Sequence, residues 1–149
     1  MNGELALIDS NILTYVFDAD EPDKQMVCRE LIGDCWNRKR KYAVSVQNLS
    51  EFYVVVTSKI KTPIPKKIAS EFVSSIVKFH NWKVINFDAD TVLSAIEINM
   101  EYGIHYWDAV LAATMKEHGI FSIYTEDQHF SKIPWLVALN PMAGRKSLK

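Results

Sequence analysis

Cysteine is nearly missing from this 149-residue chain, which has only Cys28 and Cys35. They fall seven apart in a segment whose apolar spacing predicts a helix, separating them by roughly 10 Å along its axis. A bridge needs Cα atoms within about 7 Å, so a disulfide framework is excluded and both are expected as reduced core residues. His80, His105, His118 and His129 are scattered, and no Cys or His pair has the spacing of a zinc site. Long apolar runs are missing too: stretches such as Ala109 to Ala113 are far below the roughly 18 residues of a membrane span. The beginning of the chain, with Glu4, lacks the basic, apolar and small-residue regions of a secretory signal, so a cytosolic protein is expected. Glycine is scarce, and none of it forms a phosphate-cradling loop after the first apolar run, which argues against a dinucleotide-binding dehydrogenase. Internal repeats and low-complexity segments are absent.

What the chain does have is enough apolar material, 48% of its residues, for one substantial core. A single domain over residues 1–149 is expected, with 143–149 as a frayed basic tail. The formal net charge of -1 hides a segregation. Met1 to Cys35 carries eight acids against Lys24 and Arg29, whereas Trp36 to Lys67 carries eight bases against the single acid Glu51. A basic stretch of this kind can neutralise phosphates, although a solvated surface is the commoner reading of such runs.

The run Leu5-Ala6-Leu7-Ile8 has no alternation and predicts a strand buried on both faces, as in the centre of a parallel sheet. Asp9 must then lie just past its end, at the carboxyl rim where open α/β sheets bind ligands. Further strands are predicted at Tyr42 to Val44, Lys83 to Phe87, Ile120 to Tyr124 and Leu136 to Leu139. Helices are predicted between them: Ile12 to Phe17, Pro22 to Trp36, Ser45 to about Ser58, Ile68 to Phe79, Asp88 or Asp90 to Tyr102, and Tyr106 to His118. The helix before Gly103 is expected to turn Val92, Leu93, Ile96 and Met100 inward, and Gly103 and Gly119 to supply left-handed stops. The helices on either side of Thr62, Pro63 and Pro65 are expected to project as an apolar arm. Alternation of this kind gives a three-layer α/β/α sandwich around a mostly parallel five-stranded sheet.

On that topology, acids from four distant stretches approach one rim: Asp9, Glu51 early in its helix, Asp108 in the first turn of another, and Asp127 after the fourth strand. Each has an ordinary structural explanation, as a turn acid, an exposed helix residue or a partner of the helix dipole. Together they are harder to explain that way, because clustered carboxylates either take up protons or bind a cation. Oxygen-only ligands suit hard ions such as Mg²⁺ or Mn²⁺, which activate water against phosphodiesters.

Four segments, in order, carry a resemblance: Ile8-Asp9-Ser10-Asn11-Ile12-Leu13, Val44 to Tyr53 with Glu51, Tyr106-Trp107-Asp108-Ala109, and Tyr124-Thr125-Glu126-Asp127. With the closing Asn140-Pro141, they make the chain from about Leu5 to Pro141 resemble the PIN domain family, and within it the VapC-type toxins of toxin–antitoxin pairs. The resemblance implies a ribonuclease dependent on Mg²⁺ or Mn²⁺, with Asp9, Glu51, Asp108 and Asp127 around the metal and Asn11 and Thr125 in support. It also implies a homodimer silenced by an antitoxin whose tail lies along the groove. Glu126 is left between two roles, assisting the metal or facing water. His105 stands where the family usually has Ser or Thr, and a substitute helix cap is favoured over a catalytic base.

Two other readings stand beside a metal-dependent endoribonuclease whose RNA is held by bases of the Arg38 to Lys67 region. One is a catalytically inactive PIN-like module that binds nucleic acid, disfavoured because all four acids are present. The other is a phosphoacceptor receiver domain, for which Asp88 would serve but which lacks the required Lys between Leu136 and Pro141.

Overall fold

The first strand is the axis of the molecule. In the computed structural model, which describes residues 4–143, β1 (Ala6–Ile8) lies third in a five-stranded sheet of order β3-β2-β1-β4-β5. Its neighbours are β2 (Tyr42–Ser45), β3 (Trp82–Ile85), β4 (Ser122–Tyr124) and β5 (Val137–Leu139), and every pairing is parallel. Side chains of β1 alternate between two cores. Ala6 and Ile8 join Tyr42 and Val44 on one face, while Leu7 joins Ala43, Ile85 and Ile123 on the other. A strand with a core on each side has no polar face, which is why its sequence is unbroken in apolarity.

The first core is closed by α1 (Ser10–Tyr15), α2 (Pro22–Trp36), α3 (Val46–Ser58) and α4 (Lys66–Lys78). The second is closed by α5 (Ala89–Tyr102), α6 (Tyr106–Glu117) and a 3-10 helix at Gln128–Lys132 that the sequence reading lacks. The three-layer α/β/α sandwich is therefore as expected, and the sheet is wholly parallel. Start and stop signals act where the sequence puts them. Ser45 and Asp88 each close a capping box, and Gly103 and Gly119 take φ values of 68° and 69°. Cys28 and Cys35 are buried and unbridged. Among the described residues no helix is long and apolar enough to cross a membrane. The tail expected from Ala143 lies, after that residue, outside the described residues.

Two expectations are corrected. The helices α3 and α4 do not project as an arm: Phe72 of α4 packs its ring against Phe17 at 4.9 Å and Phe52 at 5.2 Å, and Ala69 and Ile76 are fully buried. In α5 most of the predicted inward face is turned out: Leu93, Ile96 and Met100 are exposed, Val92 is half-buried, and Thr91, Ala95 and Ile98 are buried instead. The reason lies in its neighbour. Helix α6 is buried along Ala109, Val110, Ala112 and Ala113, and such small residues admit a close helix that meets them with small residues of its own. Ile98→Ala should therefore cost about 2–4 kcal/mol in urea unfolding, as a buried truncation does. Met100→Ala, on the exposed face, should stay within about 0.5 kcal/mol of the parent.

Candidate active site

Asp9 ends β1 and begins α1. Its amide donates to the carbonyl of Tyr124 at 3.0 Å, extending the sheet's bonding past β1. Its carboxylate caps α1 by accepting from the Ser10 amide at 2.7 Å, so one acid serves as both strand terminus and helix cap. Two more donors fix it. The Thr125 hydroxyl donates to Oδ2 at 2.7 Å, and the Asn48 amide donates to Oδ1 at 3.3 Å. Although so bonded, Asp9 is only 7% exposed, and burial pushes its carboxyl up from 3.8 to about 6, with the charges of Glu51 and Asp108 adding to the rise.

Thr125 is the hub of the adjoining wall. Its hydroxyl oxygen accepts from the Asn11 side chain at 3.3 Å and from the Asp127 amide at 2.9 Å while its hydrogen goes to Asp9. Asn11 in turn accepts from the Glu126 amide, closing α1 onto the turn after β4. Both residues thus hold positions that support the acids.

Glu51 sits on the second turn of α3, at the exposed mouth, and accepts from the Ser10 hydroxyl at 3.3 Å. Partial desolvation and the charge of Asp108 raise its carboxyl, against hydrogen bonds from Ser10 and Gln47. Gln47 also donates to the Trp107 carbonyl at 3.0 Å, tying α3 to the first turn of α6. Asp108, in that turn, is raised by desolvation and by Asp127, while His105 and His129 lower it. Asp127 caps the 3-10 helix and holds the ring of His129 at 2.7 Å. The charges of Glu51 and Asp108 thus bear on Asp9, that of Asp108 on Glu51, and that of Asp127 on Asp108.

Glu126 is drawn into an ion pair with the helices. Its carboxylate pairs with Lys24 at 2.6 Å and accepts from the Tyr15 hydroxyl, fastening α1 and α2 to the β4 turn. His105 caps α6, its ring accepting from the Trp107 amide, as expected of a substitute cap. The sequence reading lacks Asn48, Ser10 and Gln47. Asn48 was hidden by its second job in the Ser45 capping box, where its side-chain oxygen accepts from the Ser45 amide. Ser10, one residue past Asp9, and Gln47, one turn before Glu51, were legible only as neighbours of the acids. Asn48→Ala should lower activity about tenfold or more by loosening Asp9. The same change should cost about 1–3 kcal/mol in urea unfolding, since Ser45 loses its partner as well.

Among the described residues, no three His, Cys, Asp or Glu side chains form a group that would ligate one ion together. The donor set nevertheless fits a hard divalent ion that keeps much of its water and takes one or two carboxylates directly. Burial first, and the neighbouring carboxylates after it, raise Asp9 and Asp108, and Gln47 Oε1 is a buried acceptor with no donor among the described residues.

Solved structures share this architecture. A toxin–antitoxin complex from Klebsiella pneumoniae aligns with a TM-score of 0.62 at 21% identity, covering 91% of this chain and 97% of that one. VapC20 of Mycobacterium tuberculosis, a sarcin–ricin loop cleaving toxin, aligns at 0.61 and 18% identity, covering 85% and 92%. VapBC2 of Rickettsia felis, bound to a promoter DNA fragment, aligns at 0.63 and 18% identity, covering 91% and 98%. No curated protein matches the sequence. At these identities the likeness shows the fold, and the sequence itself settles the family, because the PIN domain pattern matches residues 6–136. This chain belongs to the PIN domain family.

Proposed function

We propose that the protein is a divalent-metal-dependent endoribonuclease, acting as the toxin of a type II toxin–antitoxin pair. What supports the reading is that Asp9, Glu51 and Asp108, from separate elements, lie close enough at the sheet's carboxyl rim for their charges to bear on one another, with Asp127 bearing on Asp108. A site of this kind has an unmet need for positive charge. Bound Mg²⁺ or Mn²⁺ supplies a water of lowered pKa and a counter-charge for phosphate oxygens. Asp9, Glu51, Asp108 and Asp127 are the residues that would surround it, one or two of them bound directly and the others reached through its water. Thr125 and Asn48 keep Asp9 pointed into the pocket, Ser10 steers Glu51, and Gln47 holds the helices that carry Glu51 and Asp108 at a fixed separation.

An antitoxin partner is supported by the toxin–antitoxin complexes among the solved structures of this fold. A homodimer is supported by apolar side chains left in solvent on α5, Leu93, Ile96 and Met100, which an assembly would cover. The test of the activity is incubation of the purified protein with a panel of structured RNAs, with Mg²⁺, with Mn²⁺ and with chelator, beside Asp9→Asn and Asp108→Asn. Cleavage that needs the ion and both acids is the expected result. Equal cleavage by the parent and both variants would overturn the assignment.

A further inference from the structure

The run Arg38-Lys39-Arg40-Lys41 is not at the acidic pocket. It leads into β2 from the end of α2, so it lies at the amino ends of the strands, whereas Asp9 lies at the carboxyl end of β1. There it joins His80 and Lys83, from the chain entering β3, around a cleft of about 1170 Å³. The turn is held in one conformation. Arg38 adopts φ 63°, which a residue other than glycine takes only when its surroundings fix it, and the Asp34 carbonyl accepts from the amides of Lys39 and Arg40 at 2.8 and 3.0 Å. The guanidinium of Arg38 lies over the Phe79 ring at 5.2 Å, and that of Arg40 over Tyr42 at 5.5 Å. Stacking occupies the guanidinium faces and leaves their N–H edges to donate.

The lining is one-sided in its chemistry. Most of its side chains are donors, beside the apolar Leu5, and Asn81, whose side-chain NH₂ is already given to the carbonyls of Cys35 and Arg40. The one carboxylate in the lining is that of Glu4, an exposed residue. The ion pairs among the described residues, Lys24 with Glu126 and Asp127 with His129, involve none of these cations. A donor-lined cleft with forked, ring-braced arginines fits a ligand that is all acceptor and regularly charged, which is a phosphodiester backbone.

We propose that this cleft binds the backbone of the RNA substrate away from the scissile bond, as a docking surface on the opposite rim from the acidic pocket. The identity of the polymer as RNA rests on the ribonuclease reading; the cleft's charge and shape do not. A long RNA would then be held at two places and a short one at the pocket alone.

The test uses the full chain in chelator, where no turnover occurs, with polyuridylate of about 40 nucleotides as the probe. The double variant Lys39→Glu/Lys41→Glu changes two exposed side chains, and Lys83→Glu, on another element, is the independent second variant. The double variant should bind the long probe at least about tenfold more weakly, and its plot of log affinity against log salt should flatten by about 1.4, the loss of two single-strand phosphate contacts. Lys83→Glu should flatten the slope by about 0.7. With metal restored, the double variant should cleave a hexaribonucleotide at the parent rate. Unchanged affinity and slope for the long probe would overturn the proposal, as would an equal loss on the hexamer. Displacement of the long probe by polyglutamate at lower concentrations than by polyuridylate would overturn it in favour of an acidic protein partner. The two readings fail separately. A protein that cuts no RNA but keeps the cleft-dependent slope overturns the nuclease, and one that cuts RNA with the slope unchanged in the variants overturns the cleft alone.

Discussion

Asp9→Asn is expected to lower RNA cleavage by about three orders of magnitude, the equivalent of about 4 kcal/mol of transition-state stabilisation, while making the metal-free protein more stable at neutral pH. The two effects have one cause. The Asp9 carboxyl titrates at about 6 in the folded chain against an ordinary value of 3.8, so ionisation opposes folding. That opposition is absent below about pH 4, grows between about pH 4 and 6, and is constant above, where it is worth on the order of 3 kcal/mol. Asn removes the charge but must turn its NH₂ toward donors, either Thr125 Oγ1 on one side or Ser10 N, Ser10 Oγ and Asn48 Nδ2 on the other, which returns about 1–2 kcal/mol. Urea unfolding of parent and variant should therefore show Asn ahead by about 1–2 kcal/mol at pH 7 and level or behind at pH 4. A variant that cuts like the parent removes Asp9 from the chemistry. One that is less stable at pH 7 removes the charge argument.

The second large effect is the converse. Adding Mg²⁺ or Mn²⁺ to the parent at about a hundred times its dissociation constant should stabilise the fold by about 2.7 kcal/mol, which for a domain of this size raises Tm by about 5–10 °C. The shift should shrink as pH falls below about 6, because protons then compete for Asp9, and the apparent affinity should drop about tenfold per pH unit. Monovalent salt at equal ionic strength is the control. Asp9→Asn and Asp108→Asn should lose most of the rise. If neither ion at millimolar concentration moves Tm in the parent, the acids hold no cation.

How much of this was legible in the sequence depends on what each residue's position is set by. Asp9 and Ser45 were placed correctly because a buried strand and a helix cap leave them no other place. The outward face of α5 was misread because apolar spacing reports which residues are apolar, not how closely the neighbouring helix approaches. The alanines of α6 decide that, and they select Ala95 over Leu93. The basic run was read as one surface because it is continuous in sequence. The chain reverses at α3, however, so Arg38 to Lys41 fall at the amino rim while Thr62, farther along, bonds to Asp20. Glu126 sits beside Asp127 in sequence, yet Lys24 and Tyr15 draw its carboxylate to the other side of the turn, which only the packing of α2 determines.

The double duty of Asp9 bears on how such a protein would decay if selection for its chemistry were relaxed. Helix α1 begins with this side chain, so folding by itself keeps a short oxygen-bearing residue there, and Asn or Ser would persist long after catalysis had gone. Glu51 is under no such obligation: it stands exposed on α3, bonded among the described residues to Ser10 and Gln47, and the architecture would survive its loss. In descendants of this chain, position 51 rather than position 9 would be the earlier record of a silenced enzyme.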